Sequence, residues 1–225
     1  MLTQLDQELY PFDCEVVSIP ESQQNVFLIY KNASSSIRME SEKQKGWTFN
    51  NKDVHKLKHI DVYLRDPLER YISGTNTYLQ RLLKENPSLD KDTALFFIKE
   101  YNFLNRHYLP QFHWLLNLHR MNSRCMITLH DISEVSNITE YIDTPVGTEL
   151  DMDVVTRLDI NNNKKLQFWF FIDYILREMI GKTKSFDDII LYYKQQQPFA
   201  FAEMFKDICE LLRPVYELST PKTFR

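Results

Sequence analysis

The stretch Asn25-Val26-Phe27-Leu28-Ile29-Tyr30-Lys31-Asn32-Ala33-Ser34-Ser35-Ser36-Ile37-Arg38 sets one lysine beside three consecutive hydroxyls. A short apolar run stops at Lys31 and a polar segment of helical character follows, so the pattern is strand, tight loop, helix. Such a junction gathers orphan backbone N–H groups and the positive end of a helix at one point, and anions bind there. Lys31 adds a mobile charge, and Ser34, Ser35 and Ser36 add hydroxyl donors. The chemistry this pattern supports is capture of a phosphate or sulfate group. It is not a Walker A loop, which needs Gly-x4-Gly-Lys-[Ser/Thr]; the stretch has no glycine, and its lysine precedes the small residues. A strand running into an ordinary Ser-capped helix reads the same way on this stretch alone.

A second stretch, Ile60-Asp61-Val62-Tyr63-Leu64-Arg65-Asp66-Pro67-Leu68-Glu69-Arg70-Tyr71-Ile72-Ser73, is again a strand entering a helix. Pro67 stands where the helix begins, a position at which its missing N–H costs nothing. Arg65 falls at the carboxyl end of the strand and Ser73 about two turns into the helix. An arginine there can hold a phosphate as a bidentate fork, or it can pair with Asp66 or Glu69. Arg70 reads as a structural ion pair rather than a ligand.

Together the two stretches resemble the sulfotransferases that use 3′-phosphoadenosine 5′-phosphosulfate (PAPS). Lys31 to Ile37 resembles that family's Pro-Lys-x-x-x-Thr-Ser loop, and Arg65 to Ser73 its Arg-Asp-Pro-x-x-Arg-x-x-Ser motif. A third piece, His107-Tyr108-Leu109-Pro110-Gln111, is similar to the His-Trp-x-Pro-Gln of the membrane-type carbohydrate branch. The resemblance covers about residues 25–135. It implies that Lys31, Asn32, Ala33, Ser34, Ser35 and Ser36 hold the 5′-phosphosulfate, and that Arg65 and Ser73 hold the 3′-phosphate. It also implies PAPS as co-substrate, with Lys31 catalytic through the charge on the leaving oxygen. The family supplies a His or Glu base between the two motifs. Here that segment offers His55, His59, Asp53 and Glu40, and Asn50 and Asn51 stand where short members often carry a His. His55 is the first choice, His59 reads as packing against the strand, and His107 is a second way to face the site. His113, His119 and His130 carry no expected role.

The elements that position these residues follow from periodicity. One strand is expected around Glu15 to Ile19, the next over the run ending at Lys31, and a helix from Ser35 to Lys45 closed by Gly46. A short strand at Trp47 to Phe49, a loop or short helix to Lys58, a strand over Ile60 to Leu64 and a helix over Pro67 to Glu85 come next. Asp90 caps a helix through Tyr101, Phe112 to Met121 is helical, Cys125 to Leu129 a strand and Asn137 to Asp143 a short helix. Residues 144–163 read as a loop or lid, and the rest is helical: Lys164 to Ile180, Ser185 to Gln195 and Phe201 to Leu218. Alternating strands and helices imply an α/β fold, a central parallel sheet flanked by helices, with ligands outside the carboxyl ends of the strands. With the resemblance, the expected architecture is one sulfotransferase-like domain over residues 1–225 with a P-loop-like core and a helical C-terminal part.

Composition narrows the partners. Four glycines in 225 residues, against a usual share of about 7%, argue against nucleotide folds built on glycine-rich loops. A net charge of −4 argues against a general nucleic-acid binder. Cys14, Cys125 and Cys209 are dispersed and odd in number, which reads as free thiols in a reducing compartment. No metal-ligand spacing is present. The N-terminus lacks the basic and apolar regions of a signal peptide, and no apolar run reaches the length of about 18 residues that a membrane span needs. A cytoplasmic protein without the Golgi anchor of the carbohydrate branch is expected. The expected activity is sulfuryl transfer to a hydroxyl of a carbohydrate or small metabolite. The alternative is a nucleotide-binding or interaction protein that kept the fold and lost its base.

Overall fold

The computed structural model describes residues 15–49, 53–101, 107, 109–139 and 158–196. These form an open six-stranded mixed sheet flanked by helices, with strand order β3-β1-β2-β4-β5-β6. The strands are β1 (Val16–Ile19), β2 (Gln24–Phe27), β3 (Thr48–Phe49), β4 (His59–Leu64), β5 (Met126–Asp131) and β6 (Thr183–Ser185). The helices are α1 (Ser34–Lys43), α2 (Pro67–Glu85), α3 (Lys91–Tyr101), α4 (Gln111–Met121), α5 (Lys164–Arg177) and α6 (Phe186–Gln196). Short 3₁₀ helices lie at Val54–Lys56 and Ile132–Asn137.

The sheet is parallel only at its centre. Strand β2 pairs with β4 in the register Val26↔Asp61 and Phe27↔Val62, and β4 pairs with β5 from His59↔Met126 to Leu64↔Asp131. Strands β1, β3 and β6 are antiparallel to their neighbours, so the sheet is mixed and the expected central parallel sheet is confined to β2, β4 and β5. The reason is connection length. Strands β1 and β2 are joined by a tight turn closed by Gln23 N–H to Pro20 O (3.2 Å), and a turn that short can join only antiparallel strands.

The apolar run before Lys31 is also longer than the strand it contains. Pairing ends at Phe27, yet Leu28 and Ile29 are each 1% exposed. They alternate onto the two faces of the sheet, Leu28 beside Val26 and Ile37, and Ile29 beside Val62 and Leu64. The run therefore marks burial on both faces more than the ladder, which past Phe27 keeps the bond from Leu28 N–H to Glu15 O (2.9 Å). On one face Phe112, Trp114, Leu115 and Leu118 of α4 and Ile172 and Leu176 of α5 complete the main core. On the other, Ile37 of α1 packs with Val17, Ile19, Tyr63 and Val135. A third cluster joins α2 and α3 through Tyr71, Leu79, Leu95 and Ile98. Each fully buried Leu, Ile or Phe contributes about 1.5–3 kcal/mol relative to exposure.

Helix ends follow local chemistry. At α2 the Asp66 carboxylate accepts Leu68 N–H (3.0 Å) and Glu69 N–H (3.1 Å), Pro67 occupies the first turn, and Asn86 N–H closes on Leu82 O. Helix α1 closes at Gln44 on Glu40 O, and Gly46, with φ of 104°, turns the chain afterwards. After β5 the chain makes the 3₁₀ helix Ile132–Asn137, fixed by a capping box: Asp131 Oδ1 accepts Ser133 N–H, and Glu134 Oε1 accepts Asp131 N–H. Cys125 is a free, buried thiol. The arm before Glu15, the helix expected beyond residue 139, the lid up to residue 157, the helix 201–218, Cys14 and Cys209 fall outside the described residues. Among the described residues no helix is long and apolar enough to cross a membrane.

Candidate functional site

The central parallel strands run the same way, so the segments leaving β2, β4 and β5 emerge at one edge of the sheet. A cleft of about 730 Å³ opens there, lined from β2's exit by Lys31, Ala33 and Ser34 to Ser36, from β4's exit by Arg65 and Ser73, and from β5's exit by Ile132, Ser133, Val135 and Ser136. Of the predicted donor-binding residues, Lys31, Ala33, Ser34, Ser35, Ser36, Arg65 and Ser73 all line it. Asn32 does not; it is 2% exposed and turns inward.

The Lys31 loop is strained. Lys31 has φ of 71° and Ala33 has φ of 56°, both left-handed and neither glycine. Each such residue costs about 1–2 kcal/mol, and backbone strain of this kind concentrates at functional sites. Its result is that Ala33 sits at the N-cap of α1 with no side chain to cap it, and the first turn holds no acidic residue. The helix start therefore faces the cleft with no carboxylate in its own first turn to screen the dipole.

Lys31 Nζ donates to Thr77 Oγ1 (2.6 Å), and Thr77 Oγ1 donates to Ser73 O (3.0 Å) one turn back on α2. Arg65 Nε reaches Glu69 Oε2 (3.4 Å) and Arg65 Nη1 approaches Lys31 O (3.5 Å). The two loops thus meet within the length of one side chain. The Arg65–Glu69 pair is the ordinary i,i+4 alternative foreseen for Arg65. Glu69 is 60% exposed, and exposed pairs of this type are worth a few tenths of a kcal/mol, too little to hold the guanidinium against a phosphate. Charge favours an anion as well. Among the described lining residues Lys31, Arg38 and Arg65 stand against one acid, Glu69, in a chain of net charge −4.

The lining residues not singled out from sequence include Thr77, Arg38 and Gln80. Thr77 follows Ser73 by four residues and so shares its helix face. Arg38, four residues after Ser34, pairs with Glu15 and lies over the Tyr30 ring at 5.2 Å. Gln80 continues the α2 face.

The candidate bases separate sharply. His55 is exposed in the 3₁₀ helix Val54–Lys56, before β4, and is not among the lining residues. The six residues of β4, about 20 Å of strand, lie between its position and the cleft. His59 Nε2 bonds with Thr128 Oγ1 (2.7 Å) on the sheet face. Asp53 pairs with Lys56, whose hydrogen bond holds the carboxyl below its ordinary range. Glu40 is buried and accepts from Gln44 Nε2 and Thr139 Oγ1. His107 alone among the candidate bases lines the cleft, with its ring 5.4 Å from that of Tyr30. Its backbone crosses α2 at Gly74, where a Cβ would stand 2.6 Å from His107 O. That close approach is what a glycine permits and any other residue prevents.

The other histidines take packing or hydrogen-bonding positions. Burial pushes His113 down to about 3. His119 stacks on Phe186 at 4.3 Å. His130 Nε2 bonds with Asp61 Oδ1 (2.8 Å), which raises its pKa. Arg70 is 2% exposed and donates to Tyr30 O (3.0 Å) and Leu109 O (2.6 Å), so it ties backbone segments together from inside; burial draws it down to about 10. No family model, no curated protein and no solved structure matches this chain.

Proposed function

We propose that the cleft binds 3′-phosphoadenosine 5′-phosphosulfate and that the protein transfers the sulfuryl group to a hydroxyl of a carbohydrate or small metabolite, on a sulfotransferase-type P-loop-like fold. The observation that carries this reading is the meeting of the Lys31 loop and the Arg65 loop, from neighbouring parallel strands, in one basic cleft. A nucleotide with anions at both ends of its ribose needs two such loops a few ångströms apart, and strands in one sheet are spaced by about 4.8 Å. The fit rests on two further features: the strained, uncapped start of α1 for the 5′ end, and Arg65 with Ser73 for the 3′ end.

The donor, when bound, supplies a sulfur centre whose bond to the bridging phosphate oxygen breaks as the acceptor oxygen bonds to it. The protein contributes position and charge. The Lys31 ammonium neutralises the oxygen that departs with the phosphate, the effect that matters most at the transition state. The first-turn N–H groups and serine hydroxyls of α1 orient the anion. His107 accepts the acceptor's proton, the role first assigned to His55; the wall it occupies beside Tyr30 supports this. Arg65 and Ser73 anchor the far end.

The test is sulfate transfer from labelled donor to a panel of sugars and small hydroxyl compounds. We expect turnover in the native protein, a loss of about 10²–10⁴-fold in His107→Ala, and near-native turnover in His55→Ala. Stabilisation by adenosine 3′,5′-bisphosphate without any turnover would leave the second reading, a nucleotide-binding protein without catalysis. Absence of both would remove the proposal.

A further inference from the structure

Behind the cleft lies a buried polar chain that the donor-binding residues do not account for. Its centre is Gln111, the first residue of α4, which is 0% exposed. Arg65 N–H donates to Gln111 Oε1 (2.9 Å), and Gln111 Nε2 donates back to Arg65 O (2.9 Å). The side-chain amide thus pairs with the backbone of the Arg65 loop as a neighbouring strand would. The same Oε1 accepts Asn32 Nδ2 (2.6 Å), which also donates to Tyr63 O (2.7 Å). The second Nε2 hydrogen points at Asp173 Oδ2 (3.3 Å). Both lone pairs and both N–H groups of one amide are therefore used.

Asp173 holds the arrangement from the rear. It is 3% exposed on α5, and its two oxygens accept Gln111 N–H (2.8 Å) and Phe112 N–H (3.0 Å), capping α4 from a different helix. The cost of its burial shows in a pKa pushed up to about 6. A buried carboxylate is tolerated only with such partners.

We infer that Gln111 is a positioning residue that fixes the separation between the Lys31 loop and the Arg65 loop, and that the cleft is thereby matched to one ligand bearing both anions. The inference rests on the proposed use of the two loops as nucleotide-binding elements. Its physical basis is preorganisation: two half-sites held at the right span bind a linked pair of anions far better than either half. Every polar atom of the buried Gln111 amide is paired and so holds that span; its loss leaves Arg65 N–H and Arg65 O without these bonds and removes one of the two acceptors of Asn32 Nδ2. Glutamate at 111 would lack the donors, and an apolar side chain would lack everything.

The experiment compares Gln111→Met, which keeps length and volume, with the native protein. Each is titrated with adenosine 3′,5′-bisphosphate, adenosine 5′-monophosphate and adenosine 3′-monophosphate. We expect bisphosphate affinity to fall by about tenfold or more, and each monophosphate to change by less than about threefold. An equal loss for all three ligands, or none for the bisphosphate, overturns the inference. Asp173→Asn touches neither loop, keeps one acceptor oxygen for the fold, and should give the same selective loss in weaker form. If the native protein binds none of the three, the nucleotide reading fails on its own, and amide hydrogen exchange still judges the spacer. Gln111→Met should then speed exchange in the Asn32–Ser36 and Arg65–Glu69 segments together. Acceleration confined to one segment would refute it.

Discussion

The β2–α1 and β4–α2 junctions stand side by side in the sheet and resolve the same problem in opposite ways. Both must manage the orphan N–H groups of a helix start. At α2, Pro67 has no N–H to satisfy and the Asp66 carboxylate takes those of Leu68 and Glu69. That start is sealed by the chain's own residues. At α1 the cap position is Ala33, left-handed and without a side-chain acceptor. That start receives no bond from the side chain at its own cap position and opens on the cleft. The difference explains why the sealed junction contributes side chains to the cleft, Arg65 and Ser73, while the open junction contributes its backbone together with Lys31 and serine hydroxyls. In the proposed function one loop meets its anion with a fork and a hydroxyl, and the other with a dipole.

Three substitutions probe that division. Arg65→Ala should have the largest effect. Loss of a charge-assisted pair costs on the order of 2–5 kcal/mol, so adenosine 3′,5′-bisphosphate should weaken far more than the same nucleotide lacking the 3′-phosphate. Calorimetric titration showing equal losses for both would remove Arg65 from that role. Asp66→Ala opens the sealed helix start. It should lower stability in urea by about 1 kcal/mol, the usual worth of an N-cap, and an unchanged midpoint would show that the seal contributes nothing. Ala33→Gly should have the smallest effect. It relieves about 1–2 kcal/mol of left-handed strain against the unfolded-chain entropy that glycine adds, about 0.4–1 kcal/mol. The net is a gain of about 0–1.6 kcal/mol, centred below 1, with nucleotide affinity preserved. A destabilised Ala33→Gly would mean the loop is not strained.

Much of the fold was legible because its punctuation is local. Asp66-Pro67 and Asn86-Pro87 bracket α2, and its limits Pro67–Glu85 match the expectation. Strand β6 was missed because Thr183, Lys184 and Ser185 carry no apolar signal; only pairing with β5 makes them a strand. In the site, the residues flanking the strand ends were readable from spacing. Thr77 and Arg38 follow Ser73 and Ser34 by four residues and were passed over, whereas the seat of His107 depends on which segment crosses α2 at Gly74. His55 is instructive in another way. A residue that precedes a strand lies at its amino end, whereas ligands of such sheets bind at the carboxyl end, so its position in the sequence already argued against it. Asp173 also left a trace, as the lone acid in the apolar run from Leu166 to Leu176, and a charge in that setting requires partners.

The outermost strands of the sheet carry a consequence for how molecules of this protein meet one another. Among the described residues the edges are β3, two residues long, and β6, three residues long with Lys184 at its centre. An exposed edge recruits a foreign strand through its row of unpaired backbone groups, and short length and lysine both oppose this. A visiting strand would find at most a bond or two at either rim. Crowded copies therefore have little means of extending the sheet sideways, and self-association by strand addition is disfavoured at both ends.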